Sequence, residues 1–461
     1  MNRSHVAAVI MAAGKGTRFR SDLAKVLHAA AGRSLLGHIL EAVRPLGLGQ
    51  VVVVVGHQAE DVEAAAVAAG IDGLSVVVQS PQNGTAHAVE VAVPALGPDI
   101  TKVMVLNGDV PLLTSETLAG LADTPTGQAA MLTAVLDDAT GYGRVLRSPD
   151  DGNVTAIVEH RDATDAQREV REVNAGMYAL DRDGLDDLLA RCGTGNDQGE
   201  RYLTDVVGLL VDQGIPVVGT TAAPDEVAGV NDRAQLAAAA AVLRERHNTR
   251  LMADGVSIVD PAATWIDVTV EVGPDTVVLP GCMLEGATRI GAQAVVGPQS
   301  HLRDTVVEDG ATVRNSVCDD AHVGPDASVG PFTYLRPGAR LERGAKTGAY
   351  VEVKKSTIGP GSKVPHLSYV GDATLGEGVN FSCGAVTVNY DGTNKHQTVV
   401  EDGAFIGCDT MLVAPVTIGS GAFVAAGSTI TDDVPADALA VARSRQVVKD
   451  GWAARRRDAQ A

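Results

Sequence analysis

The chain has few aromatic residues, few cysteines and a shortage of positive charge, and each shortage excludes something. Only 3% of its 461 residues are aromatic while glycine numbers 51, so bulky cores are scarce and turns are many. The five cysteines, Cys192, Cys282, Cys318, Cys383 and Cys408, are scattered with no Cys-x-x-Cys spacing, which argues against a zinc site or a disulfide framework and for reduced thiols. Lys and Arg total 37 against 57 Asp and Glu, a formal net charge of -20. Non-specific nucleic-acid binding needs the opposite balance, so no nucleic-acid partner is expected. No apolar run reaches bilayer length, so no membrane partner is expected either. The amino terminus enters a strand almost at once without a secretory pattern, and the expected location is cytoplasmic.

What is present begins with an apolar run, Val6 to Ala13, leading into Gly14-Lys15-Gly16-Thr17-Arg18, with Lys25 shortly after. A continuous apolar run reads as a buried parallel strand. The loop at its carboxyl end offers N–H groups and cations to phosphates. It is not a P-loop, because Gly14 and Gly16 are separated by Lys15 alone. Phe19 stands where a dinucleotide fingerprint needs a third glycine, which argues against a hydride-transfer cofactor.

At this length two or three domains are expected. To about Asn231 strand-like runs (51–55, 75–78, 103–106) alternate with helix-like ones (59–69, 86–93), which predicts a mostly parallel sheet covered by helices. Asp232 is placed to cap a helix through Leu251, either a connector or the last helix of the first domain. Beyond it the period becomes six. Ile266, Val272, Val278, Leu284, Ile290, Val296 and Leu302 keep it; Val317, Val323, Val329, Leu335 and Leu341 follow after a phase shift; Ile406, Leu412, Ile418, Val424 and Ile430 resume it. One inward apolar residue per six, often with a glycine beside it, builds a triangular parallel β-helix. The stretch from Phe381 to Asp402 breaks the period and carries Asn389-Tyr390-Asp391-Gly392, so it is expected to project as a loop. The expected domains are residues 1–231, a linker helix 232–251, and a β-helix with a tail, 252–461.

Three clusters carry chemistry. Asp109, in Asn107-Gly108-Asp109-Val110-Pro111, follows a strand run beside the phosphate loop and suits Mg2+, although a turn aspartate would look the same. Gln79 to His87 offers amides for a base edge, or is a plain loop. In the second half, 350–355 and 362–369 gather Lys, His and Tyr within about one coil, with Arg336 a coil earlier. A histidine titrating near neutrality suits deprotonation of an amine attacking a thioester, and nearby cations suit a sugar phosphate.

These motifs resemble the sugar nucleotidyltransferases. With the hexapeptide half, nearly the whole chain resembles the bacterial bifunctional UDP-N-acetylglucosamine pyrophosphorylase / glucosamine-1-phosphate N-acetyltransferase family. The resemblance rests on Met11 to Arg18, Ser21 to His28, Gly108 to Leu112, Gly141 to Arg144 and Ile157 to His160. It implies an α/β Rossmann-like nucleotidyltransferase domain, a connecting α-helix, then a left-handed parallel β-helix of hexapeptide repeats. Implied too are a cytoplasmic homotrimer with sites between subunits, Mg2+, and acetyl-CoA and UTP as co-substrates. Arg18 and Lys25 would stabilise the phosphates, and Asp109 with Asn231 would hold Mg2+. Met11, Ala12, Ala13, Gly14, Gln79, Gly84, Thr85, Asn107 and Gly108 would contact the UDP-sugar, with Gly143, Glu159 and Asn174 on its N-acetyl sugar. His366 would be the general base, with Arg336, Lys354, Tyr369 and Asn380 on the acetyl acceptor. Cys383, Asn389, Tyr390, Cys408, Ala426 and Arg443 would line the acetyl-CoA site. Ala24 stands where the family usually has Pro, Ala86 where it often has Gly, and Cys408 where Ser is frequent; segment 380–385 also departs from the common small-residue pattern. The alternatives are a monofunctional nucleotidyltransferase with a structural β-helix and a non-catalytic sensor of nucleotide sugars. The Arg336, Lys354, His366, Tyr369 cluster argues against the first, and Arg18, Lys25, Asp109 and Asn231 argue against the second.

Overall fold

A computed structural model describes residues 2–194 and 199–460 and divides the chain into two compact units, Met1–Leu243 and Arg244–Ala461. The division falls inside a helix, Arg233–Ala253, one residue later at its start and two at its end than the capping argument places it. Asp232 does cap it, its Oδ1 accepting from the Gln235 N–H at 2.8 Å.

In the first unit a seven-strand path runs Val217–Thr221, Ala129–Val135, Glu172–Asp181, Lys102–Asn107, Arg3–Met11, Leu48–Val55, Leu74–Val78. The three predicted runs all lie in strands of this path. Pairing is parallel except around Glu172–Asp181, which is antiparallel to both neighbours. Strand Arg3–Met11 reads as unbroken apolar because each face meets its own core: Val6, Ala8 and Ile10 pack in one cluster, Ala7 and Val9 in the other. The strand ends at Met11, and Ala12 and Ala13 already belong to the loop. The chain lays strands 48–55 and 74–78 on one side of Arg3–Met11, then crosses to lay Lys102–Asn107 on the other. Such a reversal opens a crevice at the carboxyl ends of those strands, where ligands bind in sheets of this kind. The Ala12–Gly16 loop and Gly108-Asp109 flank it.

In the second unit three parallel sheets of eleven, ten and nine short strands form the faces of a prism. Each coil contributes one strand per face, with an inward row of aliphatic side chains that includes Leu284, Leu302, Leu335 and Leu412, all fully buried. Buried hydroxyls such as Thr276, Ser300 and Thr333 line the interior and bond to carbonyls, so the backbone corners are satisfied inside a dry core. The phase shift has a simple cause. Successive partners are Met283, His301, Val317 and Tyr334, so coils differ in length by one or two residues. Cys318, fully buried between Leu302 and Leu335, therefore points inward, and the predicted inward Val317 is 39% exposed. The projecting loop is shorter than predicted. Strands Asn380–Phe381, Val386–Val388 and Thr398–Val400 stay in register, with Phe381 and Ala385 fully buried, which leaves 389–397 as the loop.

Candidate functional sites

The crevice of the first unit gathers the predicted phosphate residues. Gly16, left-handed at φ 62, starts a short turn Thr17–Phe19 that carries Arg18; a second turn, Lys25–Leu27, carries Lys25. The Lys25 ammonium pairs with the Asp109 carboxylate and donates to Asn231 Oδ1 at 3.3 Å, and Arg18 Nη2 donates to the same oxygen at 3.3 Å. The Val230 N–H donates to the Asp109 carbonyl at 2.9 Å, fixing segment 229–231 beside the aspartate. Gly108 donates to the Met11 carbonyl at 2.9 Å, and a Cβ there would lie 2.9 Å from that oxygen, so only glycine brings Asp109 this close to the first strand. Ala12 and Ala13 are buried, while Gly14 is open.

The amide loop joins the same crevice. Buried Gln79 donates from Nε2 to the Gly84 carbonyl at 2.9 Å, and Gln82 Nε2 donates to the Ala13 carbonyl at 2.7 Å. The Thr85 hydroxyl accepts from the Leu203 N–H at 3.0 Å, which anchors the start of helix Thr85–Ala92. Asn107 likewise turns its Nδ2 to the carbonyls of Ala175 and Gly176, both at 3.4 Å. Gly143 and Asn174 meet through the backbone, Asn174 N–H to Gly143 carbonyl at 2.9 Å, and a Cβ on Gly143 would lie 3.2 Å from Glu159 Oε1. Partial burial first, then the negative Asp162, raises the Glu159 carboxyl above its ordinary range.

On the prism the register builds two columns. At one corner the Gly384 N–H donates to the His366 carbonyl at 3.4 Å, Asp409 N–H to Cys383 carbonyl at 2.9 Å, and Gly427 N–H to Cys408 carbonyl at 2.8 Å. His366, Cys383, Cys408 and Ala426 thus climb the corner one coil apart, and Arg443 follows beside Gly427. The His366 ring is exposed and has no hydrogen-bond partner among the described residues. On the next face Arg336 and Lys354 stand a coil apart, Arg336 Nη1 bonded to Glu352 at 2.7 Å. Asn389 Nδ2 donates to the Tyr369 hydroxyl at 3.4 Å and to Asp372 at 2.5 Å. Asn380 sits on another strand, donating to the Ser382 hydroxyl at 2.8 Å, and exposed Tyr390 donates its hydroxyl to the Gly392 carbonyl at 2.6 Å.

One residue was missed. Lys395, on the 389–397 loop, is held beside Lys354, whose bond and charge lower the Lys395 pKa. Two ammonium groups brought together suit an anion, with the Asp372 carboxylate offsetting part of their repulsion. The loop itself was visible in the sequence, but nothing there shows which coil its lysine reaches.

A nucleoside-phosphate crevice and a hexapeptide prism with a histidine-headed corner define a nucleotidyltransferase joined to an acetyltransferase. Residues 8–142 match the MobA-like NTP transferase domain, and 397–432 match the bacterial transferase hexapeptide repeats. The prism is the left-handed parallel β-helix of such repeats. The chain is 52% identical over 457 residues to the bifunctional protein GlmU of Streptomyces avermitilis, covering 98% of this chain and 94% of that one. It is 49% identical to that of an Exiguobacterium species (97% and 99% covered) and 49% identical to that of Brevibacillus brevis (98% and 97%). The chain belongs to the GlmU family of bifunctional enzymes, with acetyltransferase and uridylyltransferase activities in one polypeptide.

Proposed function

We propose that uridylyl transfer runs in the crevice of Arg18, Lys25, Asp109 and Asn231, and that acetyl transfer runs at the prism corner headed by His366. The convergence of two cations, a carboxylate and an amide oxygen on one point of the crevice carries the reading. The enzyme transfers acetyl from acetyl-CoA to glucosamine-1-phosphate, then uridylyl from UTP to the product, releasing pyrophosphate and UDP-N-acetylglucosamine. In the second reaction a phosphate oxygen of N-acetylglucosamine-1-phosphate attacks the α-phosphorus of UTP, and the bond from that phosphorus to the β-phosphate breaks. Positioning and charge neutralisation suffice for such a step. Arg18 and Lys25 offset the phosphate charge, Gln79 and Gly84 face the uridine side, and Gly143, Glu159 and Asn174 orient the sugar.

Asp109 and Asn231 fit Mg2+. Their oxygens already share one cation, the Lys25 ammonium, and two hard oxygens completed by phosphate and water suit this ion. Bound there, it would neutralise charge on the triphosphate.

At the prism the substrate amine attacks the thioester carbonyl, His366 takes the amine proton, and the C–S bond breaks to release CoA. Arg336, Lys354, Tyr369 and Asn380 hold the sugar phosphate; Cys383, Asn389, Tyr390, Cys408, Ala426 and Arg443 line the CoA side. Family membership supports a homotrimer acting in the cytoplasm and supplying cell-wall precursor. The functional divisions are 1–231, a linker at 232–251, and 252–461.

A coupled assay with UTP, Mg2+, acetyl-CoA and glucosamine-1-phosphate, reading thiol and pyrophosphate separately, tests this. His366→Ala should abolish thiol release alone, and Asp109→Ala pyrophosphate release alone once N-acetylglucosamine-1-phosphate is supplied. Thiol release that survives His366→Ala would make the prism corner a scaffold.

A further inference from the structure

We infer that the stacked rings of Phe19 and His28 are a clamp that holds the two cation-bearing turns of the crevice side by side, with His28 a positioning residue for uridylyl transfer. The inference rests on the placement of Arg18 and Lys25 at the triphosphate. The ring centroids are 4.4 Å apart and the planes 27° from parallel. Phe19 directly follows Arg18 in its turn and is 1% exposed. His28 closes the Lys25 turn, its N–H donating to the Lys25 carbonyl at 3.2 Å, and is 8% exposed. The stack therefore joins the backbones that carry the two cations.

The same turns are tied a second time at the front, where Asn231 Oδ1 accepts from Arg18 and Lys25, each at 3.3 Å. A bound triphosphate competes for those two cations, so the front tie weakens as substrate arrives. The rear tie involves no group that phosphate can claim, and it persists. Without it the Arg18 turn hangs between two left-handed residues, Gly16 at φ 62 and Arg20 at φ 49.

The ring acts as an aromatic surface rather than as a charge. Burial, then the neighbouring Arg233, lowers the His28 pKa, against a smaller opposing hydrogen bond from the ring to the Leu23 backbone. Among the described residues Nε2 is buried without a hydrogen-bond partner. An unpartnered buried nitrogen costs stability, and a hydrocarbon ring avoids that cost. If stacking is the function, phenylalanine can replace this histidine with the loss only of the ring's bond to the Leu23 backbone.

The test uses the full chain, with pyrophosphate release read from UTP and N-acetylglucosamine-1-phosphate and thiol release read from the other unit. His28→Ala and Phe19→Leu should each lower kcat for pyrophosphate release roughly ten- to a hundredfold, since misplacing a reacting group by about 1 Å costs that much. The KM for the sugar phosphate and the rate of thiol release should stay at wild-type values. The double variant should be no worse than either single one, and His28→Phe should restore most of the rate. Wild-type pyrophosphate release in His28→Ala, failure of His28→Phe to rescue, or loss of thiol release along with pyrophosphate release each overturns the clamp. Arg18→Ala run in parallel separates the layers. If it is crippled while His28→Ala is not, the clamp alone falls; if it is unaffected, the placement of the triphosphate falls and takes the clamp with it.

Discussion

The Lys25 ammonium, from the turn Lys25–Leu27, and the Asp109 carboxylate, from the end of strand Lys102–Asn107, pair in the crevice with their side chains only 14% and 23% exposed. The lysine thus occupies the point at which a divalent ion would meet Asp109 and Asn231.

With Mg2+ bound as proposed, lysine and metal would compete in the free enzyme. Lys25→Ala should bind Mg2+ about tenfold more tightly in calorimetry without nucleotide, because removing a unit charge a few ångströms away changes binding by more than about 1 kcal/mol. The same variant should lose at least about a hundredfold in kcat for pyrophosphate release, since the cation is also needed at the phosphates. Unchanged Mg2+ affinity would place the metal elsewhere.

Gly16 is required twice over. Its φ is 62, and a Cβ there would sit 2.5 Å from the Lys25 Cβ. Gly16→Ala should destabilise the first unit by about 1–3 kcal/mol and displace Lys25. Gly14, with nothing within 4 Å of its would-be Cβ, should accept alanine without loss of stability. Urea unfolding of the two variants decides it, and equal midpoints would contradict the geometry.

Those two glycines also show how far the sequence could be read. Strand Arg3–Met11 was legible because both its faces are buried, which leaves no alternation to confuse with another element. The prism was legible because one inward side chain per hexapeptide repeats many times. Val317 misled because a five-residue step closes a coil as well as a six-residue one, and a cysteine then fills the inward place. The loop limits misled because Phe381 and Ala385 are inward residues among polar neighbours. Lys395 beside Lys354 is a contact between coils of the prism and Phe19 beside His28 one between two turns, neither of which a local pattern encodes.

The Lys354 and Lys395 pair should be relieved by an anion. Lys395 has its pKa lowered by Lys354, so their repulsion is present at neutral pH and disappears as pH rises through that lowered value, short of the ordinary 10.5. Inorganic phosphate should compete with glucosamine-1-phosphate in thiol release at pH 7. Lys395→Met should raise the KM for the sugar phosphate about tenfold and remove much of that competition. A variant with unchanged KM would assign the loop lysine to solvent.

His38 sets an acid limit on the first unit. Burial above all lowers its pKa from 6.5 to about 4, while its Nε2 donates to the Ala30 carbonyl at 2.8 Å. The unfolded chain binds this proton more readily than the folded one. Stability is therefore complete above pH 6.5 and falls as pH drops toward about 4, by up to about 3 kcal/mol from this group alone. His38→Gln should start less stable at neutral pH and show a flatter decline from pH 6.5 to 4.5 in denaturant titrations. An unchanged slope would mean that other groups set the limit.

The cysteines separate by place in the fold. Burial raises Cys192 to about 11 and Cys318 to about 12, and lifts Cys282 as well, so these thiols stay protonated and covered. Cys408 is exposed and Cys383 half-buried, one coil apart on the corner headed by His366. Iodoacetamide should therefore modify Cys408 first and Cys383 next, the other three reacting only on unfolding. Thiol release should fall as Cys408 is modified, acetyl-CoA should slow the reaction, and pyrophosphate release should not change. Cys408→Ser should keep activity and lose most of the sensitivity. Full thiol release after stoichiometric modification of Cys408, confirmed by peptide mass, would move the CoA path off this corner.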